Sequence, residues 1–168
     1  METKEITIAH KKIKERIELY THYTGEARRD AGLPARLAAN LQASGDDDTQ
    51  LCDHIENAAI EARNIIANYF THCTATVTDD AESSGCAHHF AMKIPALYPA
   101  EAVQALVSTI ENYIFRRALQ EWLMQHRPDE SVLQGNEVKA ATQQLHRLLT
   151  QRSKPTAAAP VSNKNINI

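Results

Sequence analysis

Apolar residues recur with the period of an α-helix in two long stretches, and this pattern most constrains the fold of the 168-residue chain. One stretch runs from Leu51 to Tyr69 and the other from Val103 to Trp122, with spacings of three, four and seven residues. The second stretch is predicted to form the central helix, beginning at Pro99 and ending near residue 126. From these stripes and a later leucine stripe we expect a core that contains Leu51, Ile55, Ile65, Ile110, Trp122 and Leu145.

Weaker helical patterns flank these stretches. Isoleucines at helical spacing predict a first helix over residues 3–23 that stops at Gly25, and a leucine repeat predicts a short helix over 34–43. The acidic residues Asp46, Asp47 and Asp48 are predicted to cap the helix that follows them, which extends to about residue 70. Asp129 is predicted to cap a last helix. That helix is either continuous or interrupted at Gly135.

The stretch at about 74–94 has the period of a β-strand instead. Phe90, Met92 and Ile94 alternate with other residues, and β-branched residues are frequent from 74 to 78. We therefore expect a β-hairpin with an acidic loop that contains Asp79, Asp80 and Glu82. Two strands alone are marginally stable, so another element must cover them.

The predicted fold is mainly α: a helical bundle of four to five helices with an inserted β-hairpin and an extended C-terminal arm. Residues 1–152 form one domain of ordinary size. Residues 153–168 are rich in Pro, Ala, Ser and Asn and lack periodicity, so we expect a flexible arm that orders on a partner. No apolar stretch reaches the roughly 18 residues that span a bilayer, and we expect no membrane association.

Charge is unevenly distributed along the chain, although the net charge is only −3. Residues 46–82 contain nine acidic residues and one arginine, whereas the segments on either side are mildly basic. A head-to-tail ring needs two different complementary patches on each subunit, which such segregation supplies. Asp46, Asp47, Asp48, Arg116 and Arg117 are the candidates for that interface. The acidic segment is equally well explained as solvated surface.

Cysteine and histidine cluster around the predicted hairpin, but without the spacing of a zinc motif. The weak candidates for metal ligands are Cys73, Cys86, His88 and His89, and no C-x-x-C pair is present. We expect no metal and no cofactor. No nucleophile elbow or phosphate-binding loop is present either, and nothing selects a carboxylate pair, so we expect no enzymatic activity. Three cysteines, an odd number, favour a reducing compartment.

Three stretches together resemble the small helical head–tail connector, or adaptor, proteins of tailed phages and prophages. They are the acidic start and helix at 46–66, the strand Phe90-Ala91-Met92-Lys93-Ile94-Pro95, and the aromatic, arginine-bearing helix at 110–123 that ends near Trp122. A leucine helix that ends in basic residues and proline follows at 145–155. The resemblance covers roughly residues 46–155 and rests on the order of these patterns.

The resemblance implies a structural subunit of the virion neck, made in the host cytoplasm. Such proteins form a ring, usually dodecameric, between portal and tail; they extend the channel for genomic double-stranded DNA and dock a tail or stopper protein. The loop with Asp79, Asp80 and Glu82 would face that channel or a subunit interface. The residues implied for an arm that contacts the portal are Lys154, Pro155, Asn163, Ile166 and Ile168.

A second hypothesis is a cytosolic helical protein-binding or regulatory module, with or without a structural zinc site. An unidentified hydrolase is the third. Connector function predicts rings with the portal, a regulatory module predicts a small oligomer or a discrete partner, and a metal site predicts stoichiometric zinc.

Overall fold

The computed structural model describes residues 2–34, 42–43, 48–80, 85–96 and 98–151. The described part is mainly helical, with four helices and a small three-stranded antiparallel sheet. This confirms the predicted class of a helical bundle with an inserted hairpin. In chain order the elements are β1 (Glu2–Ala9), α1 (His10–Asp30), α2 (Asp48–Ala67), β2 (Thr71–Asp80), β3 (Gly85–Ile94), α3 (Ala102–His126) and α4 (Pro128–Leu149).

Helix α3 is the centre of the bundle, as its broad apolar pattern predicts. It packs against α1, α2 and α4, and eleven of its residues are buried, including Ile110 and Trp122. Burial on several sides matches a sequence in which apolar residues occur on most of the helix circumference. Among the predicted core residues, Leu51, Ile55, Ile110, Trp122 and Leu145 are fully buried, and Ile65 is partly buried against the same cluster.

The predicted start of the first helix at residue 3 is wrong, because residues 2–9 form strand β1 and the helix begins at His10. The side chains of Ile6 and Ile8 are buried, whereas Thr3, Glu5 and Thr7 are exposed, which is the alternation of a half-buried strand. Strand β1 pairs with β3 along its whole length. That distant pairing, which local periodicity does not reveal, determines its structure.

The sheet has the order β1-β3-β2, so the first strand of the chain covers the outer edge of the hairpin. The hairpin strands extend beyond the predicted limits, to Thr71–Asp80 and Gly85–Ile94. Asp79 and Asp80 are the last residues of β2 and pair with Cys86 and Gly85, which corrects their prediction as loop residues. Glu82 lies outside the described residues.

Helix α1 does not stop at Gly25, contrary to the prediction. Gly25 is buried within the helix, where a Cβ atom would come within 2.8 Å of the Gln42 side chain. The helix ends at Asp30, and Gly32 adopts a φ of 103° just beyond it. Glycine tolerates this left-handed conformation, which lets the Leu33 N–H donate to the Arg28 carbonyl at 3.1 Å.

Helix α4 follows α3 after a single residue, Arg127, which occupies the N-cap position predicted for Asp129. Pro128 stands at the first helical position, where its missing N–H costs nothing. Asp129 therefore lies in the first turn and adds negative charge near the positive end of the helix dipole. The helix is continuous through Gly135, so the interruption left open there is absent.

Several predictions fall on residues that are not described. The short helix predicted at 34–43 lies outside them except for Pro34, Gln42 and Ala43, and the C-terminal arm at 153–168 lies wholly outside. Asp46 and Asp47 are also outside, while Asp48 is the first residue of α2. Within the described residues, no helix combines the length and apolar character needed to cross a membrane.

Candidate interaction surfaces and buried polar clusters

The predicted interface residue Arg117 forms an ion pair within the chain itself. Its guanidinium donates from Nε to Glu61 Oε2 at 2.8 Å and from Nη2 to Glu61 Oε1 at 2.9 Å, which joins α3 to α2. The Tyr113 hydroxyl also donates to Glu61 Oε2, at 3.1 Å. These donors favour the charged carboxylate, so the hydrogen bond with Arg117 lowers the pKa of Glu61 and in turn raises that of Arg117.

The same network continues along α3 to the start of α2. Arg117 Nη2 lies 3.1 Å from Glu121 Oε1, and His54 Nδ1 lies 3.0 Å from Glu121 Oε2. These three side chains line a shallow groove between α2 and α3 together with Met124. Burial beside the Glu61 carboxylate raises the pKa of Tyr113 far above its ordinary value. The groove is therefore lined by polar side chains that contact one another across the two helices.

Arg116, the other predicted interface arginine, is directed towards α4. Its Nη1 donates to Gln134 Oε1 at 3.3 Å, and its Nη2 lies 3.7 Å from Glu137 Oε2. The guanidinium also stands 5.4 Å from the ring centroid of Phe115, with Arg16 on the same ring at 4.1 Å. Arg116 and Arg117 are both half-buried. A role of Arg116 and Arg117 between subunits stays a prediction, and within the chain they connect α3 to α4 and α2.

Arg127 is a fully buried arginine at the junction of α3 and α4. Its Nη2 donates to the Thr21 carbonyl of α1 at 2.8 Å, and its Nη1 contacts Glu130 Oε2 at 3.0 Å and the Thr24 hydroxyl. Burial lowers the pKa of this guanidinium, and Glu130 partly opposes that effect. A buried cation is tolerated only when it is paired and hydrogen-bonded, so these contacts hold the helix junction against α1.

His10 and His88 form a buried pair between α1 and β3. Their rings lie 4.6 Å apart and they are 5% and 2% exposed. None of their four ring nitrogens has a hydrogen-bond partner among the described residues. Burial, together with the neighbouring His10 and His89, lowers the pKa of His88 to about 4. Burial also lowers the pKa of His10, while Glu56 raises it. Both imidazoles are therefore neutral near pH 7.

The candidate metal ligands whose side chains are described, Cys73, His88 and His89, do not converge on one point. His88 is buried, whereas the next residue, His89, faces the other side of the strand and bonds with Thr7 Oγ1 at 2.9 Å. Cys73 is half-buried, and burial raises the pKa of its thiol; the side chain of Cys86 is outside the described part. Among the described side chains, no group of three or more potential ligands is suitably arranged for a metal ion.

Large apolar side chains are exposed on the outer faces of the three helices that surround α3. Leu19 and Tyr23 of α1 are 55% and 66% exposed, and Ile60 of α2 is 45% exposed. Helix α4 exposes Val132 and Leu133. Contiguous exposed apolar surface marks contact sites, whereas single exposed apolar side chains are ordinary.

Met124 of α3 and Val132 of α4 also border a groove of about 620 Å³ at the junction of these helices. Pro128 and Val138 contribute further apolar surface to it, and Lys139 adds a positive charge. Met124 lines both this groove and the charged groove between α2 and α3. Its flexible side chain, 59% exposed, is suited to contact with an apolar partner.

Reasoning from the sequence did not select these exposed residues or His10. Leu19 and Tyr23 do carry a signal, since they lie off the buried stripe formed by Ile13 and Ile17. The partner of His10 has no such signal, because the contact depends on the pairing of β1 with β3.

No family model, curated protein or solved structure matches this chain.

Proposed function

We propose that the chain is a structural subunit of a phage neck, in which identical copies form a ring between portal and tail. In this role it acts in the virion, without catalysis or cofactor, extends the DNA channel and binds a tail or stopper protein. The resemblance of residues 46–155 to head–tail connector proteins supplies the biological setting.

The observation that carries the proposal is the exposure of apolar side chains on several outer faces of one bundle. A ring subunit contacts a neighbour on each side and further components above and below, so it needs separate surfaces for each. Leu19 and Tyr23, Ile60, and Met124 with Val132 provide such surfaces on α1, on α2 and at the α3–α4 junction. Because the core is already filled by other residues, these side chains are free to contact partners.

The charge distribution supports the same proposal. Helix α2 exposes Asp53 and Glu56 and belongs to the acidic segment of the chain. Negative charge at a DNA channel repels phosphate and keeps the duplex mobile. In the proposal, the residues after 152, with Lys154 and Pro155, serve as the arm that contacts the portal.

The test is a measurement of assembly with and without the portal protein of the same phage. Mass photometry gives the number of copies, and negative-stain microscopy gives the shape of any assembly. We expect closed rings of this chain seated on the portal. A control uses a portal from an unrelated phage, on which no ring should form.

A small oligomer that is indifferent to the cognate portal would contradict the proposal. That result would favour the helical binding or regulatory module, and zinc content would then be measured by elemental analysis of the purified chain.

A further inference from the structure

Strand β2 lies at one edge of the sheet and, in the part of the chain that the structure describes, pairs with no strand on its outer side. From Thr74 to Asp80 it pairs with β3 without a register shift, so its outward N–H and C=O groups form a regular row. Residues 74–78 include no charged residue and no proline, the features that commonly protect an edge. The other edge, β1, has Glu2, Lys4 and Glu5. Strand β2 is therefore the edge that is better able to accept a further strand.

The sheet is covered on one face only, and this restricts the strand that can be added. His88 and Phe90 of β3 are buried, whereas Thr74, which pairs with Ala91, is exposed. Residues that lie directly opposite each other share a face, so the register places residues 75 and 77 on the covered face with Phe90 and His88. A suitable strand therefore alternates, with apolar residues beside positions 75 and 77 and polar residues between them.

Residues 163–168 have this alternation, although residues 153–168 as a whole lack periodicity. Ile166 and Ile168 alternate with Asn163, Asn165 and Asn167. Isoleucine is β-branched and favours a strand, and its burial on one face would leave the asparagine amides on the solvent side. The segment thus fits a strand that is apolar on one side and polar on the other.

An antiparallel register matches charge as well as apolar character. With Ile166 opposite residue 77, Ile168 falls opposite residue 75 and Lys164 falls opposite Asp79. In a parallel strand Lys164 would instead lie towards the start of β2, away from Asp79. Charge therefore favours the antiparallel direction, in which Lys164 enters at the acidic end of β2.

The position of α4 favours a strand that comes from a second copy. The Tyr69 hydroxyl and His146 Nδ1 lie 2.8 Å apart, so α4 ends near the start of β2. An antiparallel strand enters at the other end, beside Asp80, about 30 Å further along. The connecting residues 152–162 span at most about 36–40 Å. Within one chain they would be almost fully stretched and would then have to reverse, a constraint that a second copy removes.

We infer that residues 163–168 of one copy add to β2 of the next copy as an antiparallel fourth strand, an inference that rests on the proposed ring function. The added strand and the edge that accepts it are different surfaces, so the contact is head-to-tail and continues until a ring closes. Main-chain hydrogen bonds supply affinity, and the two isoleucines set the register. Residues 163–168 then bind the neighbouring subunit, and Lys154 and Pro155 remain for the portal.

Two double variants separate the two sides of the added strand. Ile166→Asp with Ile168→Asp places charge on the covered face and should weaken association between copies roughly a hundred-fold, since burial of each isoleucine contributes about ten-fold. Asn165→Asp with Asn167→Asp adds the same charge on the solvent side and should weaken it by less than about five-fold. Mass photometry measures assembly under the condition in which the parent forms rings, alone or with its portal. Circular dichroism verifies that both variants fold like the parent.

Hydrogen–deuterium exchange of residues 74–80 reports on the accepting edge itself. In the parent, exchange of these amides should become slower as the protein concentration rises, because strand addition protects the outward N–H groups. The variant with both isoleucines replaced should lose this protection, and the variant with both asparagines replaced should keep it. Protection that does not depend on concentration would mean that the strand is added within one chain, which contradicts the inference.

The outcomes separate this inference from the proposed function. If the parent forms rings and the isoleucine variant forms them equally well, the lateral contact is elsewhere and the ring function stands. If that variant loses rings while exchange of residues 74–80 stays as in the parent, the isoleucines bind another surface and the inference is wrong. If the parent forms no ring with or without the portal, the proposed function itself fails and the inference falls with it.

Discussion

The guanidinium of Arg117 and the carboxylate of Glu61 form two parallel hydrogen bonds, at 2.8 and 2.9 Å, between the central helix α3 and helix α2. This geometry is the strongest form of an ion pair, since charge and direction are satisfied together. The pair is only partly shielded, with the two side chains 25% and 41% exposed, so water and salt weaken it.

We predict a coupling free energy of about 1 kcal/mol between these two residues. A double-mutant cycle with Glu61→Gln and Arg117→Gln, measured by urea unfolding, gives this value directly. The matched control is Lys14 and Glu18, a pair on one helix at 3.9 Å, for which the coupling should stay below about 0.5 kcal/mol. Equal couplings for both pairs would show that the bidentate geometry contributes nothing.

The buried pair of His10 and His88 predicts a loss of stability in mild acid. Their folded pKa values are lowered, that of His88 to about 4 from an ordinary 6.5, so the unfolded chain binds protons first as the pH falls. The free energy of unfolding should therefore be highest above pH 6.5, where both states hold neutral histidines. Below pH 6.5 it should decline by about 1 kcal/mol for each pH unit. Urea unfolding between pH 7.5 and 4.5 measures the slope.

The variant His88→Leu should reduce this slope, because it removes a buried imidazole whose pKa is lowered to about 4. His22→Gln serves as the control, since His22 is exposed on α1 and should leave the slope as it is in the parent. A parent and a His88→Leu variant with identical slopes would show that protonation occurs elsewhere.

Removal of the buried cation at the helix junction should be costly. Arg127→Met keeps most of the volume but leaves the Thr21 carbonyl without one of its donors and Glu130 without one of its partners. We expect a loss of about 3 kcal/mol in the free energy of unfolding. Arg147→Met on the exposed side of α4 should change it by no more than about 0.5 kcal/mol. Similar values for both arginines would mean that burial of Arg127 has no energetic role.

Two glycines should respond oppositely to replacement by alanine. Gly135 lies inside α4, and a Cβ there meets only the terminal amide of the Gln120 side chain, at 3.1 Å. Gly135→Ala should therefore raise the free energy of unfolding by about 0.5–1 kcal/mol, through helix propensity. Gly32→Ala should lower it by about 1 kcal/mol, because φ is 103° there. Thermal unfolding of both variants tests this prediction. Changes of the melting temperature with the same sign in the two variants would refute it.

The helices that sequence reasoning placed well are those whose apolar stripe is long and self-consistent. Helices α2 and α3 have such stripes, so their existence and type follow from spacing alone. The first residues of the chain are different, because Ile6 fits both a helix with Ile13 and an alternating strand with Ile8. Only the pairing with β3, far along the chain, decides between the two.

The buried clusters were less predictable, because each joins elements that are distant in sequence. Glu61 and Arg117 lie on separate helices, and nothing in either local pattern pairs them. The neighbours His88 and His89 seemed to form one group of ligands, yet a strand directs them to opposite faces. His10 became relevant only once β1 had brought the start of α1 onto β3.

The pairing of β1 with β3 also has a consequence for synthesis on the ribosome. Glu2 pairs with Ile94 and Ala9 with Ala87, so the first strand has no partner until the hairpin has left the exit tunnel. During that interval α1 and α2 can form locally, but the buried faces of Ile6 and Ile8 stay uncovered. Long-range closure of this kind slows folding and prolongs the exposure of a strand edge. Strand β1 of the nascent chain is therefore covered only after β3 has been translated and has left the ribosome.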